Sequence, residues 1–205
     1  MSEHLSELDL LDWKRRIFAL YRDIRASIDV ASAWNEWRRT RDAMFRSHPQ
    51  SPISTSDREA FDGLSLYDYD PTYRVLAEVE GAELEEYDVP TSGDETFSFK
   101  RIGRARFELG GRELRLELYW LTSYGGGLFV PFRDETSGDE TYGAGRYLLD
   151  TVKGADLGMD NGRLVFDFNF SYNPSCSYDP KWVCPLAPPP NRLAVKIEAG
   201  ERHLQ

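Results

Sequence analysis

The chain is poor in the residues on which much enzyme chemistry depends. Among its 205 residues there are two cysteines, Cys176 and Cys184, and three histidines, of which His4 and His203 stand at the chain ends, where order is usually low. A Ser–His–Asp or Cys–His arrangement would therefore have to use His48. The sequence also lacks a G-x-S-x-G elbow and a C-x-x-C pair, so neither an α/β-hydrolase nor a zinc site is predicted, and we expect no metal and no cofactor.

Acidic residues outnumber basic ones, 35 to 25. The net charge is −10, whereas nucleic-acid phosphates require a basic surface, so neither nucleic acid nor an anionic membrane is expected as a partner. No apolar run reaches the roughly 20 residues of a membrane-spanning helix. The acidic beginning, MSEHLSELDLLDW, differs from the basic and then apolar pattern of a signal peptide. We expect a soluble cytoplasmic protein, whose oligomeric state the sequence leaves unknown.

The first fifty residues carry a helical pattern. Apolar residues recur there with spacings of three and four along two stretches, as on one face of an amphipathic helix. These stretches predict helices over residues 6–28 and 30–47. The second helix ends before Pro49, because proline disfavours helical backbone at the residue that precedes it.

From Thr72 onward the period of the apolar pattern changes to two. Leu114, Leu116 and Leu118, for example, alternate with charged residues, as in a strand with one buried face. About eight such short segments follow one another without a helical segment between them. Parallel strands would need crossover connections of a dozen or more residues, so the sheet is expected to be mainly antiparallel.

The predicted fold class is therefore α+β, with an N-terminal helical pair packed on a mainly antiparallel, curled sheet or barrel of about eight strands. We take residues 1–205 as a single domain, in which residues 1–50 form the helical segment and residues 72–200 form the β portion. Closure into a barrel would also remove exposed sheet edges.

Two consecutive predicted strands, TYGAGRYLL and RLVFDFNF, carry candidate binding residues. Consecutive strands are usually neighbours in a sheet, so we predict that Arg146 pairs with Asp167 in a polar cavity, with Asn169 beside them. Tyr147 points to the other face of its strand and is the least secure member. Such a site would take a ligand with a carboxylate or phosphate group, while the structural alternative is an ion pair that only stabilises the fold.

The two cysteines allow several interpretations. Buried free cysteines are common in protein cores, whereas a partly exposed thiol beside a cation would be a nucleophile or a redox group. Two thiolates and His48 would supply three zinc ligands, but the spacing of Cys176 and Cys184 does not support a zinc site. We expect both cysteines to be reduced or close together, and without metal.

The C-terminal half resembles a known family. The segments FRDETSGDETYGAGRYL and DFNFSYNPSCSYDPKWVCPLAPPPNRLAVKIEAGE are similar to the C-terminal block of domain-of-unknown-function family 1684, over about residues 128–201. The chain departs from the family pattern at Ser175 and Ala187, where similar members have proline, and at Pro190, where they have glutamate. The resemblance implies that the matched motif residues form one structural unit, but it does not imply any particular chemical reaction. That unit comprises Gly143, Gly145, Arg146, Tyr147, Asp167, Asn169, Asn173, Cys176, Cys184, Asn191 and Arg192.

Three functions remain open at this point. The first is a binding module for a small anionic molecule. The second is a thiol-dependent enzyme, a hydrolase or redox protein, which would use Cys176 or Cys184. The third is a structural or interaction protein. The predicted ligand-binding residues are Arg146, Tyr147, Asp167, Asn169, Asn173 and Arg192.

Overall fold

A computed structural model describes residues 6–94, 96–122 and 125–203, so His4 lies outside the described residues. The two predicted helices are present as α1 (Ser6–Ala26) and α2 (Val30–Ser47). Asp29 caps α2, since its carboxylate accepts a hydrogen bond from the backbone N–H of Ser32 at 3.0 Å, which satisfies a donor left free at the helix start. In the described part of the chain, no helix is long and apolar enough to cross a membrane.

The rest of the described chain is β structure and turns, as the change of period predicts. Between Thr72 and Gly200 its helical segments are 3₁₀ turns of three residues each. The strands are β1 (Arg74–Pro90), β2 (Thr96–Leu109), β3 (Arg112–Leu121), β4 (Gly127–Phe132), β5 (Arg146–Asp150), β6 (Met159–Asp160) and β7 (Arg163–Asp167). The predicted α+β class with an antiparallel sheet is confirmed.

The seven described strands form one antiparallel sheet in the order β5-β4-β3-β2-β1-β7-β6, curled into a half-barrel. The curl brings β5 against the segment that follows β7. Tyr147 and Tyr172 exchange two backbone hydrogen bonds, of 2.9 and 3.1 Å. The prediction that the strands TYGAGRYLL and RLVFDFNF are sheet neighbours is wrong, because β7 pairs with the free edge of β1 instead.

Aromatic side chains join the helices to the inside of the half-barrel. The ring of Trp37 meets Phe170 edge to face at 5.5 Å, and the indole N–H of Trp34 donates to the carbonyl of Asn169 at 3.0 Å. Phe168 is fully buried and lies within 6 Å of Phe107 and Phe132. The tryptophans of α2 therefore face the sheet, as the helical spacing indicates.

The strand alternation of RLVFDFNF ends earlier than its sequence suggests. β7 stops at Asp167, and residues 168–170 form a 3₁₀ turn. Asp167 caps this turn by accepting a hydrogen bond from the backbone N–H of Asn169 at 3.1 Å. The turn places Phe168, Asn169 and Phe170 all in the interior. The residues after Asp167 therefore do not alternate between an apolar and a polar face, as they would in a strand.

Candidate functional site

Arg146 is one of the fully buried polar residues of the described structure. Its side chain is 0% exposed and its guanidinium lies 3.2 Å from the Oδ1 of Asp134, whose side chain is also fully buried. It also donates hydrogen bonds to the backbone carbonyls of Ile197, Ala199 and Glu201. Burial lowers the pKa of Arg146, and the Asp134 carboxylate opposes that shift. Arg146 therefore binds the C-terminal segment of its own chain.

The predicted pair between Arg146 and Asp167 does not form. Arg146 lies on β5, and Asp167 ends β7, on the other side of β1 to β4 in the sheet order. Asp167 instead lies opposite Arg74 on β1, with 3.9 Å between its Oδ2 and the Arg74 Nε. The two residues thus belong to separate buried clusters, each with a partner of its own.

Asn169 holds a loop by hydrogen bonds from its side chain. Its Oδ1 accepts from the backbone N–H of Asp70 at 3.0 Å, and its amide nitrogen donates to the carbonyl of Asp70 at 2.8 Å. The same nitrogen donates to Oδ1 of Asp167 at 2.8 Å. These bonds match the structural role that an asparagine side chain has when it mimics a backbone turn.

Asp167 should make stability depend on pH. Its side chain is 1% exposed, and burial raises its pKa from 3.8 to about 6, against the hydrogen bonds from Asn169 and the charge of Arg74. Because the folded protein holds this proton more tightly than the unfolded chain, stability falls as the pH rises from about 4 to 6. Asp167→Asn should remove up to about 3 kcal/mol of this fall, as measured by urea unfolding across that range.

The exposed carboxylate Asp160 provides the control for that experiment. Asp160→Asn should retain the fall in stability of the unsubstituted protein, because it leaves the buried carboxyl of Asp167 unchanged. Equal slopes for Asp167→Asn and the unsubstituted protein would contradict the raised pKa of Asp167.

Asn173 and Arg192 do not join Arg146 in a binding site. The Asn173 amide donates to the carbonyl of Arg202 at 2.9 Å, which fixes the C-terminal segment. Arg192 is exposed and its backbone bridges to Arg133. The sequence groups Asn173 and Arg192 with Arg146 in one unit, but in the structure the two make their contacts at different places on the fold.

A second buried ion pair lies beside the first. The guanidinium of Arg41 is 2.8 Å from Oε2 of Glu201, and it lies over the rings of Trp37, Phe45 and Tyr172 at 4.7 to 5.1 Å. Burial raises the pKa of Glu201 to about 7, and Arg41 opposes that shift. Tyr178 donates a further hydrogen bond to Glu201. The two ion pairs together hold residues 197–203 against the half-barrel.

A cavity lies at one mouth of the half-barrel, against the N-terminal part of α1. We call it the mouth pocket; its volume is about 410 Å³, within the range of small-molecule sites. Its wall is mostly apolar. The aromatic lining residues are Trp13, Phe97, Phe99, Phe129 and Trp182, and the aliphatic ones are Leu10, Pro52, Leu121, Val152, Val183 and Pro185.

Two lysines mark the polar side of the mouth pocket. Lys14 from α1 and Lys153 from the turn after β5 both line it, together with Asp150. Lys153 Nζ lies 3.7 Å from Oδ2 of Asp150 and 6.0 Å from the ring centre of Tyr147. Burial raises the pKa of Asp150, against the nearby charges of Lys153 and Lys14. The pocket thus offers two ammonium groups and one carboxyl group whose neutral form burial favours.

Tyr147 lies beneath this pocket and supports its wall. Its hydroxyl donates to the carbonyl of Pro185 at 2.6 Å, and its ring meets Phe129 edge to face at 4.7 Å. It is 2% exposed. Tyr147 is therefore placed to position two lining residues, Phe129 and Pro185.

The two cysteines are free thiols at the edge of the mouth pocket. Cys184 lines the pocket, and its sulfur accepts a hydrogen bond from the backbone N–H of Cys176 at 3.4 Å. The hydroxyl of Tyr142 lies 3.6 Å from the Cys176 sulfur. Among the described residues, no three His, Cys, Asp or Glu side chains are grouped as metal ligands.

The histidines lie elsewhere than the sequence suggests. His48 is buried, and both of its ring nitrogens have partners. Its Nε2 is 3.2 Å from Oδ2 of Asp12, and its Nδ1 accepts a hydrogen bond from the backbone N–H of Gln50 at 3.0 Å. His203, expected to lie at a loose chain end, packs edge to face on Tyr142 at 6.1 Å. His203 and Cys176 therefore both contact Tyr142.

Comparison with known proteins places the chain among uncharacterised relatives. The family model "Protein of unknown function (DUF1684)" matches residues 59–202. A search of curated proteins found no significant match. The solution NMR structure of an uncharacterized protein from Haloarcula marismortui is 38% identical, with a TM-score of 0.60, over 83% of this chain and 92% of that one. Because the family model covers more than two thirds of the sequence, the chain belongs to the DUF1684 family of proteins of unknown function.

Proposed function

We propose that the protein binds a small amphipathic anion in the mouth pocket. The observation that carries the proposal is the combination of an aromatic wall with two lysines, Lys14 and Lys153, on one side of a 410 Å³ cavity. An apolar body would bury its surface against the wall. Its carboxylate or phosphate group would meet the ammonium groups, which bind such anions as point charges.

The position of the anionic group differs from the one expected from the sequence. Arg146 is buried against Asp134 and Asp167 lies 3.9 Å from Arg74 elsewhere in the fold, so the two residues do not form one site for a ligand. The side chain of Lys153 is 56% exposed, and it can turn from Asp150 toward a ligand.

Decanoate and decan-1-ol form a matched pair of probes, because they share an alkyl chain and differ in charge. We expect the protein to bind decanoate more tightly, and Lys153→Met to weaken decanoate binding about tenfold, or about 1.4 kcal/mol, with little effect on decan-1-ol. Isothermal titration calorimetry measures both affinities. Trp13 and Trp182 line the pocket, so tryptophan fluorescence gives a second readout.

Lys196 provides the control substitution. It is 51% exposed and lies 3.1 Å from Glu140, so Lys196→Met removes an equally exposed, carboxylate-paired charge away from the pocket lining. It should leave decanoate binding unchanged. Equal affinities for the two probes, unaltered by Lys153→Met, would show that the pocket has no preference for anions. Absence of binding by either probe would contradict the proposed function.

A further inference from the structure

The loop over residues 175–185 carries both cysteines and forms one wall of the mouth pocket. Cys176 lies in a 3₁₀ turn and is half-buried, while Cys184 is 3% exposed. The backbone N–H of Cys176 donates to the sulfur of Cys184 at 3.4 Å. The two thiols are therefore neighbours within one short loop.

The surroundings of the two sulfurs differ. The hydrogen bond from the Cys184 thiol, opposed by burial and aided by the hydroxyl of Tyr142, lowers the pKa of Cys176 to about 6. The same interaction, together with burial, raises the pKa of Cys184. A thiolate is the reactive form of cysteine, and Cys176 is half-buried whereas Cys184 is buried, so Cys176 is placed to act as the nucleophile of the pair.

The loop around Cys184 is fixed on both sides. The hydroxyl of Ser92 accepts from the backbone N–H of Cys184 at 3.1 Å and donates to the carbonyl of Trp182 at 3.1 Å. The backbone N–H of Ser92 donates to the carbonyl of Cys184 at 3.0 Å. Cys184 is thus held in place, and Cys176 is the partner with solvent access.

We propose that Cys176 and Cys184 form a reversible dithiol–disulfide couple that exchanges electrons with low-molecular-weight disulfides. The Cys176 thiolate attacks one sulfur of the external disulfide, whose S–S bond breaks and releases one thiolate. Cys184 then attacks the Cys176 sulfur of the mixed disulfide, its proton passes to the second leaving sulfur, and the Cys176–Cys184 bond forms. The protein loses two electrons and the external disulfide gains them, ending as two thiols.

The disulfide would close a ring that contains two lining residues of the mouth pocket. Trp182 and Val183 lie between the two cysteines and face the cavity. Oxidation would thereby change the wall of the pocket. The redox couple itself does not depend on the ligand that the pocket is proposed to bind, so the two proposals can fail separately.

The test uses the reduced full-length protein with oxidised glutathione at pH 7, quenched by acid and alkylated with N-ethylmaleimide. Intact mass and peptide mapping should show that the unsubstituted protein loses two hydrogens and takes up no alkyl group at either cysteine. Cys184→Ser, which keeps a hydroxyl donor beside Cys176, should accumulate one glutathione on Cys176. Cys176→Ser should react at least about tenfold more slowly, because Cys184 is buried and holds its proton.

The unsubstituted protein supplies a readout that does not depend on how the variants fold. The rate of Cys176 alkylation by iodoacetamide should have a pH midpoint near 6, well below that of an ordinary thiol at about 8.5. In the unsubstituted protein, a lasting glutathione adduct on one cysteine, with the other thiol still open to alkylation, would overturn the proposal. So would reaction of the cysteines only after denaturation.

Discussion

Replacing Arg146 with methionine should lower the free energy of unfolding by about 3–5 kcal/mol, because the substitution leaves a buried charge without its counter-ion. The carboxylate of Asp134 is 0% exposed and loses its guanidinium partner at 3.2 Å. The carbonyls of residues 197, 199 and 201 lose their donor as well. Urea unfolding followed by circular dichroism measures the change.

Arg192→Met is the matched control, since Arg192 belongs to the same predicted set but is exposed. Its stability should stay within about 0.5 kcal/mol of the unsubstituted protein. Decanoate binding separates a structural role of Arg146 from a ligand-binding one. If Arg146→Met folds with nearly unchanged stability but loses binding, Arg146 is a ligand-binding residue and its assignment to the fold is wrong.

The helices and the sheet class could be predicted because their signals are local. The spacing of three and four over residues 6–47 and the alternation from Thr72 onward each report the exposure of a single element. These signals carry no information about how one element packs against another. They did not give the strand order, because alternation states which face is buried and not which strand lies next to it.

The partner of Arg146 shows the consequence of that limit. Asp134 lies only 12 residues before Arg146, in the segment between β4 and β5, where Ser, Gly and Asp indicate a turn. The sequence-based prediction placed the partner of Arg146 on the next strand along the chain. The curl of the sheet instead places β5 against the C-terminal segment, whose carbonyls and Glu201 surround the buried guanidiniums of Arg146 and Arg41.

The mouth pocket was missed for a different reason. Its lining comes from α1, from β2 to β5 and from the loop over residues 175–185, so no segment of the sequence contains enough of it to form a pattern. Lys14 and Lys153 are two of five lysines in the chain. That scarcity was a usable signal, since lysines that line an apolar cavity are candidates for contact with an anion.

The residues of the family motifs attach the C-terminal segment to the half-barrel more than they line the mouth pocket. Asn191 clamps β3 to β4 through its amide, which bonds the backbone of Glu117 and the carbonyl of Pro131 at 2.7 to 3.1 Å. The A-G-E sequence at the end places Gly200 and Glu201 against Ser171. The motif residues therefore define how the half-barrel is closed, and closure positions the loop that bears both cysteines.

Gly200→Ala should be the most damaging small substitution in that segment. Gly200 has a φ of +76°, and a Cβ there would lie 2.6 Å from the carbonyl oxygens of both Phe168 and Ser171 and closer still to the Ser171 hydroxyl. The left-handed backbone costs alanine about 1–2 kcal/mol, and overpacking against fixed backbone atoms adds about 1–3 kcal/mol. We expect a loss of about 2–5 kcal/mol in the free energy of unfolding, measured by urea unfolding.

Gly162 isolates the contribution of the close contact. Its φ of +78° nearly equals that of Gly200, but a Cβ at Gly162 would meet no atom within 4 Å. Gly162→Ala therefore carries the left-handed strain alone and should cost only about 1–2 kcal/mol. The difference between the two variants measures the contact between Gly200 and the turn over residues 168–171. If the two variants are equally stable, the C-terminal segment does not pack against that turn as tightly as the structure shows, and the closure of the half-barrel through Gly200 and Glu201 is wrong.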